Sequence, residues 1–203
     1  LLLLSLFTSC KHATGAAKEE STPVWDNDLL SSYPLKTGDL VFRRGIGFES
    51  NVVTAADKAA AYSHVGMLIA DGDEWMVLHA VPGEEQETAG KQVLKTDTLS
   101  RFLAPDRCVR AGIFRYNLSE EARHTLEQQG LRLHEKGLLF DHSYCLSDTS
   151  RMYCTELVCY LYQFIGVDLA EGRCHRFPML KEPIVYPIDL TRNPKLYPIW
   201  QSR

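Results

Sequence analysis

Residues 62 to 81 constrain the fold more tightly than any other stretch of the chain. Tyr62-Ser63-His64-Val65-Gly66-Met67-Leu68-Ile69-Ala70 and Asp73-Glu74-Trp75-Met76-Val77-Leu78-His79-Ala80-Val81 are two strand-like runs, and only Asp71-Gly72 separates them. A two-residue link of this kind predicts a β-hairpin closed by a type I′ turn. With Asp71 and Gly72 as the central turn residues, Ala70 faces Asp73, and counting outward sets Leu68 against Trp75, Gly66 against Val77 and His64 against His79. Directly opposed side chains share a face, with Cβ atoms about 4.5–5.5 Å apart. Two histidines are therefore expected to meet on one side of the ribbon, while Val65, Met67, Ile69, Met76 and Leu78 turn toward a core. Such a pair is open to three readings: a general base with the group that orients it, a satisfied polar pair on an exposed face, or two ligands of a metal. No third Cys, His or carboxylate stands at ligand spacing, and His142 could join only through a contact made by the fold, so no metal is expected.

The rest of the chain mixes strands and helices without a βαβ rhythm or an internal repeat, which predicts an α+β domain. Thr37-Gly38-Asp39 leads into a strand over 40–43, and Val52, Val53, Ala55, Ala56 and Ala59 have helical spacing within 48–61. A polar, Glu-rich loop is expected from Pro82 to Gln92, and a strand from Cys108 to Tyr116. Ser119 reads as the N-cap of a helix with Glu120 and Glu121 in its first turn, running to about Lys136 before Gly137. A second helix starts near Cys154 and runs to Ile165, ended by Gly166, and the proline-bearing tail from Pro178 to Trp200 is expected to be extended and to pack across the domain.

Cys154 stands at a predicted helix start. Polar Asp148-Thr149-Ser150-Arg151 precedes it, and Leu157, Val158, Leu161, Tyr162 and Ile165 supply the apolar stripe that buries the helix. Unpaired N–H groups and the positive end of the helix dipole favour a thiolate there, and the backbone N–H of Cys154 is a natural oxyanion donor. A cysteine at a helix start is also a common structural feature, so its reading as a nucleophile depends on a base, which the hairpin histidines supply. Together they give the nucleophile, base and orienter of a cysteine hydrolase: Cys154, His64 and His79. Of the remaining cysteines, Cys108, Cys145, Cys159 and Cys174 allow three disulfide pairings or none, and Cys159, inside the apolar helix, reads as a small buried hydrophobe.

The chain opens on Leu1-Leu2-Leu3-Leu4-Ser5-Leu6-Phe7-Thr8-Ser9-Cys10, an apolar run too short to cross a bilayer. Small residues before Cys10 resemble the cleavage site of a bacterial lipoprotein; the alternatives are an ordinary secretory signal that happens to contain Cys, or a frayed hydrophobic end. Residues 1–10 are then expected to be a partial export signal ending at a lipidated Cys10, 11–23 a flexible tether, and 24–203 a single catalytic domain. On that expectation the protein is exported and held to a membrane of the bacterial envelope, at the periplasm or the cell surface. A net charge of -4 with no long basic block gives no footprint for nucleic acid.

Three segments taken together, Thr37-Gly38-Asp39-Leu40-Val41-Phe42, Tyr62-Ser63-His64-Val65-Gly66-Met67 and Tyr153-Cys154-Thr155-Glu156-Leu157-Val158, resemble the circularly permuted NlpC-type papain-like amidases of the YiiX/YaeF-like family. The resemblance spans roughly residues 35 to 166. It implies a permuted papain-like fold, an antiparallel sheet or small barrel packed against helices, with the histidine ahead of the cysteine in the chain. It further implies Cys154 as nucleophile, His64 as base, position 79 as the third polar residue, and Glu156 as a brace of the helix. Members of the family often carry Glu at the third position; His79 stands here, as in the related lecithin–retinol acyltransferase-like enzymes. The resemblance implies no cofactor. Its substrate classes are peptidoglycan-type peptides and acyl–amino-acid or lipid bonds, cleaved through a thioester on Cys154. The alternatives are acyl transfer between lipids at the same site, or a non-catalytic module that binds peptide or lipid at the cell surface.

Overall fold

The computed structural model describes residues 32–46, 60–81, 94–178 and 180–202. The export signal with Cys10, the tether, nearly all of the helix expected over 48–61 and the loop expected over 82–92 lie outside these residues.

A six-stranded antiparallel sheet forms the frame, in the order β4-β3-β2-β1-β5-β8. Its strands are β1 (Leu40–Arg44), β2 (His64–Asp71), β3 (Glu74–His79), β4 (Lys95–Thr98), β5 (Arg110–Tyr116) and β8 (Leu196–Gln201). The helices are α1 (Leu99–Phe102), α2 (Glu120–Glu135), α3 (Cys154–Gln163) and α4 (Pro187–Thr191). A parallel pair of two-residue strands, β6 (Leu139–Phe140) and β7 (Arg151–Met152), lies just ahead of α3. The mixture is α+β, with the antiparallel sheet and packed helices that the sequence predicts.

Side chains alternate across the sheet, and both of its faces are buried. Leu40, Phe42, Val65, Met67, Ile69 and Leu78 pack with Leu126, Leu157, Val158, Leu161 and Tyr162 of α2 and α3. On the other face Val41, Leu68, Val77, Ala111 and Ile113 pack with Leu99, Phe102 and Leu103 of α1 and its sequel, and with Trp200. This second core was not expected. It arises because Leu68 and Val77, on the histidine side of the ribbon, meet α1.

The hairpin corrects the predicted register. Asp71 pairs with Glu74, Ala70 with Trp75, Leu68 with Val77 and Met67 with Leu78, so Gly72 and Asp73 are the central turn residues. Gly72 takes φ +59°, whereas the non-glycine residues with positive φ among those described are Tyr144 and Glu171. A glycine at the first central position is the type II′ pattern, which does not demand positive φ of Asp73 as a type I′ turn would. The slip is two residues, an even number, and so leaves every side chain on its predicted face.

Ser119 caps α2 as expected, accepting from the N–H of Ala122, and Gly137 (φ +62°) follows the helix. The tail departs from the expectation of an extended segment, since it carries α4 and β8. Proline at the first helical position of α4 suits a helix start, and Asp189 accepts the N–H of Tyr186 to close that turn. Pro198 sits at an irregularity in the β5–β8 register on the sheet edge, where a missing N–H is tolerated. The five cysteines among the described residues are all free thiols.

Candidate active site

Three elements converge at one end of β2. His64 is the first residue of β2, His79 the last of β3, and Cys154 the first of α3, which packs against β2. In the observed register the histidines are diagonal neighbours, and continuing the pairing sets Gly66 across from His79. A Cβ on Gly66 would lie 2.5 Å from Val77 Cγ1 and 3.0 Å from His79 Cβ. The absent side chain therefore gives His79 its place against the strand. The two rings meet edge to face, with His64 Nε2 3.0 Å from His79 Nδ1.

Behind His79 stands a residue that the sequence did not mark. His79 Nε2 lies 3.1 Å from Oδ2 of Asp97 on β4. Lys95 Nζ and Arg107 Nη1 each approach the same oxygen at 3.4 Å. Asp97 belongs to a four-residue polar edge strand, Lys95-Thr96-Asp97-Thr98, with no apolar alternation to announce it. Phe102 of α1 closes the pair from below, its centroid 5.0 Å from the His79 ring and 5.6 Å from that of His64. Arg43, opposite His64 in the β1–β2 register, lays its guanidinium 4.4 Å above the other part of this stack, the Phe102 ring, and donates to the Phe102 carbonyl at 2.9 Å.

Burial and these cations together hold the imidazoles neutral. His64 is 8% exposed and His79 0%. Burial, then the positive charge of Arg43 and the neighbouring His79 and Lys95, push His64 well below the ordinary imidazole range. Burial likewise brings His79 down to about 4, against the opposing pull of its hydrogen bond to Asp97. Asp97 stays ionised: burial alone would raise it, but the hydrogen bond from His79 and the positive groups around it hold it below the usual carboxylate range.

The thiol is also set by its surroundings. Burial raises Cys154 to about 11, although the backbone N–H groups of Val65, Thr155 and Cys154 itself, with the charge of Arg43, pull the other way. The helix start thus favours a thiolate as anticipated, but desolvation is the larger effect, and the resting group is a neutral thiol.

The start of α3 is firmly held. Glu156 accepts the N–H of Tyr153 at 3.2 Å, bracing the helix N-terminus, and its burial raises its carboxyl to about 8. Thr155 Oγ1 donates to the Val185 carbonyl at 2.6 Å, and the Val185 N–H donates to Tyr153 Oη at 3.2 Å. Ahead of the helix, buried Asp141 accepts from the N–H and Oγ of Ser143 and the N–H of Cys145, which fixes a turn where Tyr144 (φ +52°) packs on the Tyr153 ring at 5.2 Å. His142 is exposed and packs on Phe140, away from any ligand set. Among the described residues, no three His, Cys, Asp or Glu side chains are grouped to hold a metal ion.

Residues 34–199 match the model of the permuted papain-like amidase enzyme family, YaeF/YiiX, C92, and the chain belongs to that family. Among solved structures it is similar to the crystal structure of the metalloprotein yiiX from Escherichia coli O157:H7, at 24% identity and a TM-score of 0.68, over 83% of this chain and 98% of the other. No curated protein matches it. The fold is therefore the permuted papain-like one, and the family is one of cysteine-type amidases.

Proposed function

We propose that this protein is a cysteine amidase in which Cys154 is the nucleophile, His64 the base and His79 the third member of the site. The observation that carries the reading is the joint one at the end of β2: a buried imidazole pair at 3.0 Å, and a cysteine at the first position of α3, the helix that packs against β2. Family membership supports amide cleavage as the class of reaction.

In the first half-reaction, the thiol proton passes to Nδ1 of His64 as Sγ attacks the substrate carbonyl carbon. That nitrogen is the one not engaged with His79. Negative charge develops on the carbonyl oxygen, where the Cys154 N–H can donate, because the first N–H groups of a helix have no partner within it. Collapse breaks the C–N bond, the His64 proton goes to the leaving nitrogen, and an amine departs from a thioester on Cys154. Water then attacks the thioester, giving up a proton to His64, and the carboxylic acid and the neutral thiol are released.

A resting neutral thiol suits this sequence. Proton transfer accompanies attack, and no thiolate–imidazolium pair has to be maintained at a site surrounded by Arg43, Lys95 and Arg107. The substrate classes proposed are a peptidoglycan-type peptide and an acyl–amino-acid or lipid bond. Lipidation at Cys10 would place the enzyme on a membrane of the bacterial envelope beside either one. Acyl transfer to an acceptor other than water shares the thioester and differs in its second half.

Incubation of the protein with peptidoglycan stem peptides and N-acyl amino acids, with and without an added acceptor amine, tests the assignment. Release of amine and acid that is lost in Cys154→Ser and unaffected by acceptor is the expected result. Products that form only with acceptor would make it a transferase, and full turnover in Cys154→Ser would end the proposal.

A further inference from the structure

We propose that Asp97 is the positioning residue of this site: acting through His79, its carboxylate fixes which nitrogen of each imidazole carries the proton, and so leaves Nδ1 of His64 bare as the basic nitrogen. The inference rests on the reading of His64 as the base for Cys154.

The hydrogen bonds fix the proton positions outward from the acid. An ionised carboxylate only accepts. Asp97 Oδ2 is 3.1 Å from His79 Nε2, so that nitrogen must be the donor. A neutral imidazole has a single N–H, and His79 is fully buried and held neutral. Its Nδ1 is therefore an acceptor. His64 Nε2, 3.0 Å away, must in turn donate to it. His64 is neutral by the same burial and the same neighbouring cations, so its one proton is spent on Nε2 and Nδ1 carries a lone pair. The opposite polarity would set a bare His79 Nε2 against a carboxylate oxygen, two acceptors 3.1 Å apart.

A further consequence concerns charge. When His64 takes the thiol proton it becomes cationic, in a site where Arg43 on β1 and Lys95 on β4 oppose that charge. Asp97 is the anion aligned with the imidazole pair, and through His79 it offsets the imidazolium. A histidine in the third position is thereby backed by the carboxylate that a Glu would have supplied directly. Lys95 and Arg107, both on Oδ2, keep Asp97 in place and ionised.

Nitrogen-15 spectra of the imidazoles in the full chain, together with the rate of Cys154 alkylation by iodoacetamide, test the proposal. The comparison uses Asp97→Ala, the isosteric Asp97→Asn, His64→Ala and Cys154→Ser. At neutral pH the unaltered protein should show both histidines neutral with the proton on Nε2. Asp97→Ala should mix the tautomers of His79 and His64 and slow Cys154 labelling on the order of tenfold or more, a part of the roughly 10²–10⁴-fold that a positioned base contributes. Asp97→Asn, whose amide can present either an oxygen or an NH₂, should fall between and covers the case in which the alanine variant does not fold. A His79 proton found on Nδ1 in the unaltered protein overturns the proposal. Tautomers unchanged in both variants, or labelling within about twofold of the unaltered protein in both, overturn it equally. If His64→Ala leaves labelling untouched, the base assignment falls, while the tautomer assignment is still read from the nitrogen spectra alone.

Discussion

His64 Nε2 stands 3.0 Å from Nδ1 of His79 although the two residues are not partners across the hairpin. Diagonal neighbours on a sheet are roughly 7–8 Å apart at the backbone, a span that two imidazoles bridge only if nothing intervenes. Gly66 is what keeps the span open.

Gly66→Ala should therefore damage the site more than its size suggests. The new methyl would meet Val77 Cγ1 at 2.5 Å, the Leu78 carbonyl oxygen at 2.9 Å and His79 Cβ at 3.0 Å. Overpacking of this kind costs about 1–3 kcal/mol, and the displacement falls on His79. Thermal unfolding should show the loss of stability, and Cys154 labelling should slow in the folded fraction.

His79→Ala removes the link between the half-buried, ionised carboxylate of Asp97 and the buried N–H of His64. Leaving such groups without their partner costs about 1–3 kcal/mol. The variant should be less stable in denaturant and should lose hydrolytic rate by on the order of a hundredfold, since the base loses its orientation. His79→Gln, whose amide can both accept from His64 and donate to Asp97, should recover part of that rate.

Protonation of the base should set the acid limit of activity unusually low. Both imidazoles lie below the ordinary value of 6.5, His79 at about 4, because burial disfavours their charged forms. The unfolded chain binds these protons at higher pH than the native one, so stability falls as pH drops from about 6.5 toward 4. A pH–rate profile should show its acid limb below 6.5, and Cys154 labelling should keep rising through alkaline pH toward about 11. An acid limb at 6.5 would show that the pair is solvated.

Glu156 should act in the opposite direction. Its carboxyl is raised from 4.5 to about 8, chiefly by burial, so between those values the native state holds a proton that the unfolded chain has released. Stability contributed there is present at low pH and is lost as pH rises through that window. Glu156→Gln keeps the shape of the brace and should flatten the decline, which unfolding midpoints measured from pH 5 to 8 would show.

The residues that are legible in the sequence are those whose signal is local. Apolar alternation on both sides of a two-residue turn placed His64 and His79 on one face, and polar residues before an apolar stripe placed Cys154 at a helix start. Register was less legible, because Asp71-Gly72 and Gly72-Asp73 are both acceptable turn pairs, and moving the turn by one residue shifts the pairing by two, which leaves the faces unchanged. Asp97 was not legible at all. It sits on a polar edge strand, and its role comes only from the β3–β4 pairing that sets Lys95 beside His79 and Asp97 beside Val77. Arg43 was hidden for a related reason: a cation ending an apolar strand reads as solvated, and only Phe102 from α1 shows where it is buried. The tail misled because proline marks helix starts and sheet edges as readily as extended chain.

Covalent capture of the acyl group shows which cysteine is the nucleophile. The protein is exposed to an activated acyl ester below stoichiometry, and each cysteine-bearing peptide is weighed by mass spectrometry. Acyl mass should appear on the Cys154 peptide, be released by hydroxylamine, be absent in Cys154→Ser and form more slowly in His64→Ala. Acylation confined to exposed Cys174 or half-buried Cys145, with Cys154 unmodified, would contradict the account.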